Sequence, residues 1–87
     1  MLKDEKLKIF KQALSKVLKK ITKGKSATTI AASYDISPSI ISDIFKGEKD
    51  PRMSTFYRLA EAFNIDPSVF TGMVYKELPE NFMFAEE

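Results

Sequence analysis

A three-residue turn between two short helical segments constrains the fold of this chain more than any other feature. The turn spans residues 35–37. Before it, Ser26 is a suitable N-cap for a helix over residues 27–34. After it, Ser37 and Pro38 supply an N-cap and a first helical residue, and Gly47 closes the segment. Two helices joined by so short a turn are expected to cross and to share an apolar core.

The apolar residues around this turn predict what the two helices share. Ile36 lies in the turn, and Ile41 and Ile44 fall on one face of the second helix. Ala31 in the first helix is small enough to let the two helices cross closely. We therefore expect these residues to form a core that sets the angle at which the second helix, residues 38–46, is presented.

A longer helix is predicted before this pair. Between Lys3 and Lys23 apolar residues recur at steps of three and four, and most of the lysines fall on the other faces. Gly24 is expected to end this helix as its C′ residue. The apolar positions are Leu7, Phe10, Leu14, Val17, Leu18 and Ile21.

Two shorter helices are predicted after the pair. Residues 53–63 return to helical spacing, and Asn64 is expected to end that helix. Pro67 is a suitable first residue for the last helix, in which Val69 and Phe70 are expected to face inward. These two helices complete the set that the spacing of apolar residues predicts.

Together these elements predict an all-α, five-helix domain over residues 1–72, with the helix pair at about residues 27–46. Residues 73–87 form a C-terminal extension. The sequence leaves open whether this extension continues a helix to Leu78 or forms an extended arm around Pro79.

Composition excludes several kinds of chemistry. The 87 residues include no histidine and no cysteine, which removes histidine bases, thiolate nucleophiles and nearly every zinc site. We therefore expect no enzymatic activity, no metal and no cofactor. The lack of cysteine excludes disulfides, and no apolar run approaches the roughly 18 residues of a membrane span. A cytoplasmic protein without a membrane partner is expected.

The net charge of +2 hides a strong asymmetry along the chain. Residues 1–25 carry nine lysines and two acids, whereas the last fifteen residues carry one lysine and four glutamates. A basic start attracts phosphates and an acidic end repels them. The sequence leaves open whether the first helix presents a solvated lysine face or a phosphate-binding one. A helix lying on a membrane is a weaker third interpretation.

Three fragments occur in order and carry a family resemblance. They are GKSATTIA at residues 24–31, ISPSIISDIFKG at residues 36–47 and PRMSTFYRLAEAF at residues 51–63. They correspond to G-L-S-Q-x-x-L-A, V-S-x-S-x-I-S-x-I-E-x-G and P-x-x-x-T-L-x-x-L-A-x-A-L, the patterns of the lambda repressor/Cro-type (XRE-type) helix-turn-helix family. The chain resembles this family from about residue 14 to residue 70. The resemblance implies a lambda-repressor-like fold and a dimeric, repressor-like transcriptional regulator that binds double-stranded DNA.

The resemblance also implies a role for individual residues, with the helix over residues 38–46 inserted in the major groove. The candidates for contacts with base edges are Pro38, Ser39, Ile40, Ser42 and Asp43. The candidates for contacts with phosphates are Lys25, Thr28, Thr29, Lys46, Lys49 and Arg52.

The sequence departs from the family at positions where bases are usually read. Ala27 stands where the family has glutamine, and Phe45 stands where it has glutamate. Because the base-contact candidates offer no bidentate donor, we expect hydroxyls, methyl contacts and DNA shape to carry sequence readout. Ile40 and Phe45, expected to be exposed, favour an alternative in which the scaffold binds a protein partner, as an antirepressor or in the manner of an antitoxin.

The C-terminal extension is too apolar for a free tail. We expect a homodimer interface formed by Tyr75, Leu78, Phe82, Met83 and Phe84. The competing interpretation packs the same residues onto the chain's own first helix. The sequence leaves both interpretations open.

Overall fold

The computed structural model describes residues 3–23, 29–30 and 36–84. Four helices lie within these residues: α1 (Lys3–Thr22), α2 (Pro38–Phe45), α3 (Met53–Ala62) and α4 (Pro67–Glu77). All regular secondary structure in the described part of the chain is helical, so the predicted all-α class is confirmed. The fifth helix, predicted over residues 27–34, falls mostly outside the described residues, although Thr29 and Ile30 are helical.

Helix α1 is the central element, because both α2 and α4 pack against it. The predicted apolar stripe supplies the contact: Leu14, Val17 and Leu18 are almost completely buried. At about 25 cal/mol per Å² of buried apolar surface, side chains of this size are among the main stabilising contributions to a small domain. The stripe therefore has the structural role that its spacing predicts.

The core around the predicted turn is confirmed. Ile41 and Ile44 on α2 have no accessible surface, and Ile36 and Ile30 are 5% exposed. Buried isoleucines on one face of an eight-residue helix fix the rotation of that helix about its axis. Ala31, which the sequence assigned to the close crossing of the two helices, lies outside the described residues.

Two helices end in the same hydrogen-bonded motif. After α2, Gly47 has a positive φ of 73° and donates to the carbonyl of Ile44, while Glu48 donates to the carbonyl of Asp43. After α3, Asn64 has a φ of 57° and donates to Glu61. Both arrangements are Schellman motifs, in which a left-handed residue stops the helix. The predicted stops at Gly47 and Asn64 are confirmed.

Stacked aromatic rings join the last two helices. The rings of Phe56 on α3 and Phe70 on α4 lie 4.5 Å apart with an interplanar angle of 22°. Asp66 caps α4 by accepting a hydrogen bond from the backbone amide of Ser68 at 2.8 Å. The predicted start at Pro67 is confirmed, and Phe70 is fully buried as expected.

Two local predictions need correction. Val69 is 55% exposed instead of facing inward, because Phe70 and Val74 define the buried face of α4 and Val69 is turned about 100° from Phe70. The left-handed residue after α1 is Lys23, with a φ of 50°, one position before the expected Gly24. Gly24 itself lies outside the described residues.

None of the described helices combines the length and apolar character that crossing a membrane requires.

Candidate nucleic-acid interface

The first turn of α2 presents small polar side chains to solvent. Pro38 and Ser39, both predicted base-contact residues, are exposed. Ser37 occupies the N-cap position without a side-chain capping bond, and its hydroxyl lies 2.8 Å from the hydroxyl of Ser39. The two hydroxyls therefore partner each other, and either can turn to a ligand that offers a better hydrogen bond.

The other three base-contact candidates are less accessible. Ile40, Ser42 and Asp43 are each half-buried. Ile40 packs against the hydrophobic core, as does Phe45 at the end of the helix. The expectation that Ile40 and Phe45 are exposed is therefore wrong. Burial of Ile41 and Ile44 turns the neighbouring side chains toward the core. Ile40 and Phe45 therefore lose much of their contact with solvent.

The end of α2 is held against α1 by a contact that the sequence analysis missed. The hydroxyl of Ser15, a buried residue, donates to the carbonyl oxygen of Phe45 at 2.5 Å. One turn earlier on α1, Gln12 lies beside the loop: a Cβ built on Gly47 would be 3.8 Å from its Cγ. A serine within an otherwise apolar stripe was the available sequence signal, since a buried hydroxyl needs a partner.

Three of the phosphate-contact candidates lie beyond the end of α2. Lys46, Lys49 and Arg52 are all exposed. Thr29 is also exposed. Lys25 and Thr28 fall outside the described residues.

Acidic residues alternate with these basic ones. Asp43, Glu48 and Asp50 lie in the same short stretch as Lys46, Lys49 and Arg52, so the charges near the end of α2 cancel. Within the described ranges, no group of three or more acidic residues is arranged to hold a metal ion. This part of the surface offers exposed ammonium and guanidinium donors beside exposed carboxylates.

The five residues predicted to form a dimer interface differ in exposure. Tyr75 is 73% exposed and Met83 is 55% exposed. Leu78 is half-buried and packs against the core, while Phe82 is half-buried and Phe84 is partly exposed. Helix α4 runs to Glu77 and buries Val74, so it crosses the expected domain boundary at residue 72.

Phe84 lies against the N-terminal half of α1. The rings of Phe84 and Phe10 are 5.6 Å apart, and the ammonium of Lys6 donates to the carbonyl of Phe84 at 3.4 Å. At the end of α4, the carboxylate of Glu77 pairs with the ammonium of Lys20 on α1. This hydrogen bond lowers the pKa of Glu77 despite partial desolvation. Part of the apolar extension thus packs on the protein's own first helix.

Comparison with known proteins identifies the family. A family model described as helix-turn-helix matches residues 16–70, which include all of α2 and α3 and the first turn of α4. No curated protein and no solved structure matches the chain. Because the matched segment covers more than half of the chain, this protein belongs to the Cro-type (XRE-like) helix-turn-helix family, a family of DNA-binding regulators.

Proposed function

We propose that this protein is a sequence-specific, repressor-like transcriptional regulator that inserts α2 into the major groove of double-stranded DNA. The proposal includes the complete five-helix domain and a cytoplasmic location. One observation carries it: Ile41 and Ile44 are fully buried, while Pro38 and Ser39 at the start of the same helix are exposed. A helix anchored along one face can offer its first turn to a groove without losing its place in the core.

Sequence readout is assigned to the exposed first turn. The hydroxyl of Ser39 can donate to or accept from several base edges, whereas Pro38 has no donor and supports readout by shape. Ser42 and Asp43, half-buried one turn later, are proposed to contact bases nearer the groove edge. Ile40 has less surface available for a thymine methyl than the sequence alone suggested.

Contacts with the DNA phosphates are assigned to Lys46, Lys49 and Arg52. Thr29, Thr28 and Lys25, which precede the turn in the sequence, are assigned the same role. Replacing one contacting basic residue with alanine is expected to lower the slope of log K against log salt by about one. Affinity should fall similarly for all DNA sequences, since phosphate contacts carry no sequence information. An unaltered slope in the three variants at Lys46, Lys49 and Arg52 would remove these residues from the interface.

The alternative, a scaffold that binds another protein, loses one of its supports. It relied on exposed Ile40 and Phe45, which instead pack against the core. A different observation still favours it: Met53 is 71% exposed and Tyr57 is 50% exposed, one turn apart on α3. If Met53→Ala/Tyr57→Ala abolishes regulation while DNA binding is unchanged, the protein-binding role is the correct one.

We also propose a homodimer, because a single helix-turn-helix contacts one half-site and two linked half-sites about 34 Å apart multiply the affinity. Tyr75, Met83 and Phe84 are exposed apolar side chains that support this assignment. Leu78 and Phe82 are half-buried and are assigned to the edge of the interface.

Removal of residues 79–87 tests the dimer. Truncation after Leu78 keeps the buried Val74 and the ion pair of Glu77, so the domain should remain folded by circular dichroism. With Tyr75→Ala added to this truncation, because Tyr75 is the most exposed of the interface candidates, light scattering should report a monomer that binds a single half-site weakly. A full-length protein that is already monomeric at high micromolar concentration contradicts the proposal.

A further inference from the structure

The surplus of positive charge lies on α1. Residues 3–23 contain eight lysines and two acids. Residues 36–84 contain five basic and seven acidic residues. A protein that neutralises phosphates releases counterions only where it presents unpaired positive charge. Among the described helices, α1 has the largest surplus of lysines over acids.

Four of these lysines lie along α1 and just beyond its end. At 100° per residue, Lys8, Lys16 and Lys19 fall within an arc of about 80° and span about 17 Å along the axis. Lys23 directly follows the last helical residue, Thr22, in a left-handed conformation. All four side chains are exposed. The strip lies opposite the buried side of α1, where Leu14 and Leu18 have no accessible surface. We call these four residues the lysine strip.

Asp4 and Glu5 lie four and three residues before Lys8 and offset part of its charge, whereas Lys16, Lys19 and Lys23 have no acid at helical spacing on α1. Lys8, Lys19 and Lys23 form no ion pair with any residue in the described ranges. The charge of Lys16 helps to lower the pKa of Glu77 through space, but Lys20 donates the hydrogen bond to that carboxylate. Lys16 and Lys19, three residues apart on α1, repel each other and weaken the helix slightly, and binding of a polyanion would remove that cost.

The strip borders the loop that carries other phosphate-contact candidates. Gly47 lies against Gln12, whose exposed side chain sits among the lysines on the same face of α1. Lys46 is exposed and directly precedes Gly47 in the chain. The contact between Gly47 and Gln12 brings this loop to the face of α1 that carries the strip.

We propose that the lysine strip is a second phosphate-binding surface, which holds the sugar-phosphate backbone of double-stranded DNA without reading its sequence. The inference rests on the proposed function in that its ligand is DNA. It adds a site on α1, which packs against α2 but is not one of the two helices of the helix-turn-helix. It also supplies the electrostatic attraction that the nearly neutral stretch after α2 lacks.

An anionic membrane is the other polyanion that a basic helix can meet. A helix lies in a membrane interface by burying its apolar face among lipid chains. In this fold the apolar face of α1 is committed to the core through Leu14, Val17 and Leu18. The geometry therefore favours a ligand that is held by charge alone, as a phosphate backbone is.

Two double variants and a matched control test the proposal in the full-length protein. The strip variants are Lys8→Gln/Lys19→Gln and Lys16→Gln/Lys23→Gln. The control, Arg58→Gln/Lys76→Gln, removes the same charge from exposed residues of α3 and α4. Binding to a duplex of unrelated sequence is measured at several salt concentrations. Each strip variant should lower the slope of log K against log salt by about two, and the control by less than one.

Equal slopes for strip and control variants would overturn the proposal, because net charge alone would then explain the binding. Unchanged slopes in both strip variants overturn it too, provided that circular dichroism shows α1 intact. Sedimentation with phosphatidylserine vesicles is the third readout. Strip-dependent vesicle binding with an unchanged DNA slope would assign the strip to membranes and overturn the proposal.

Two further measurements separate this inference from the proposed function and locate the backbone. The strip variants should select the same DNA motif as the natural protein. If the natural protein selects no motif, the proposed function is wrong. The salt slopes still test phosphate binding by the lysine strip in that case. Fluorescence energy transfer between two differently labelled short duplexes reports whether the protein holds two duplexes at once. If energy transfer is observed, the strip contacts the backbone of a second duplex. If the salt slope changes without energy transfer, the strip contacts the same duplex as α2.

Discussion

The hydroxyl of Ser15 lies 2.5 Å from the carbonyl oxygen of Phe45 and joins the middle of α1 to the end of α2. The carbonyls of the last helical turn have no partner within their own helix. Ser15 satisfies one of them at a position where its side chain is excluded from solvent. The contact therefore fixes the end of the proposed recognition helix relative to the core.

Ser15→Ala should destabilise the protein by about 1–3 kcal/mol, because the carbonyl of Phe45 would lose its partner in a part-buried position. The matched control is Ser54→Ala, at an exposed position on α3, which should change stability by less than about 0.5 kcal/mol. Urea denaturation measures both. Equal effects of the two substitutions would show that the hydroxyl of Ser15 contributes no special stability.

The glycines at positions 47 and 72 should respond in opposite directions to alanine. Gly47 has a φ of 73°, and its new Cβ would find its nearest neighbour at 3.8 Å, so the expected cost of about 1 kcal/mol is conformational and not steric. Gly72 lies inside α4 with no heavy atom within 4 Å of a new Cβ. Gly72→Ala should stabilise the protein by about 0.5–1 kcal/mol. Thermal unfolding of both variants checks the signs.

Phe70→Ala should be the most damaging core substitution on α4. The side chain is fully buried and stacks on Phe56, and its truncation leaves a cavity that typically costs about 3–5 kcal/mol. That is a large part of the stability of a small domain. Val69→Ala, at the exposed neighbouring position, should cost less than about 0.5 kcal/mol. A large effect at Val69 would contradict the observed rotation of α4.

Asp66 should make stability depend on acid pH. Hydrogen bonds from the hydroxyl and the amide of Ser68 lower the pKa of Asp66 below its ordinary value of 3.8. A carboxyl with a lowered pKa in the folded state stabilises above its unfolded pKa, and this contribution is lost as pH falls through the folded value. The stability difference between the natural protein and Asp66→Asn should therefore be constant above about pH 5 and shrink below it. A difference that does not change with pH would show that Asp66 makes no such contribution.

Helix spacing and stop signals predicted most of the fold. The apolar stripe of α1, the isoleucines around the turn and the stops at Gly47 and Asn64 depend on local sequence, and all are present in the structure. Val69 was assigned wrongly because two adjacent apolar residues, Val69 and Phe70, do not fix the rotation of a helix. Its rotation is set by the packing of Phe70 and Val74 against other elements.

The candidate site depended more strongly on contacts between distant residues. Ile40 and Phe45 were expected to be exposed from family positions, but the core reaches both. The hydrogen bond from Ser15 joins residues thirty positions apart. The contact between Phe10 and Phe84 spans nearly the whole chain. Periodicity describes one element at a time, so contacts of this kind cannot be predicted from it.

Direct readout by α2 makes a further prediction about specificity. Asp43→Ala should change the preferred base at one position and should also tighten binding to unrelated DNA, because a negative charge near the phosphates is removed. Competition binding with specific and unrelated duplexes separates the two effects. If Asp43→Ala leaves both affinities unchanged, Asp43 lies outside the interface.

Selection of bound sequences from a random pool of duplex DNA tests the central claim most directly. The natural protein should recover one shared motif. The variant Ser39→Ala/Ser42→Ala/Asp43→Ala should recover a different or relaxed motif, since each lost base contact costs about 1–3 kcal/mol at its position. Recovery of unrelated sequences by the natural protein, or of the same motif by the triple variant, would contradict sequence readout by the side chains of α2.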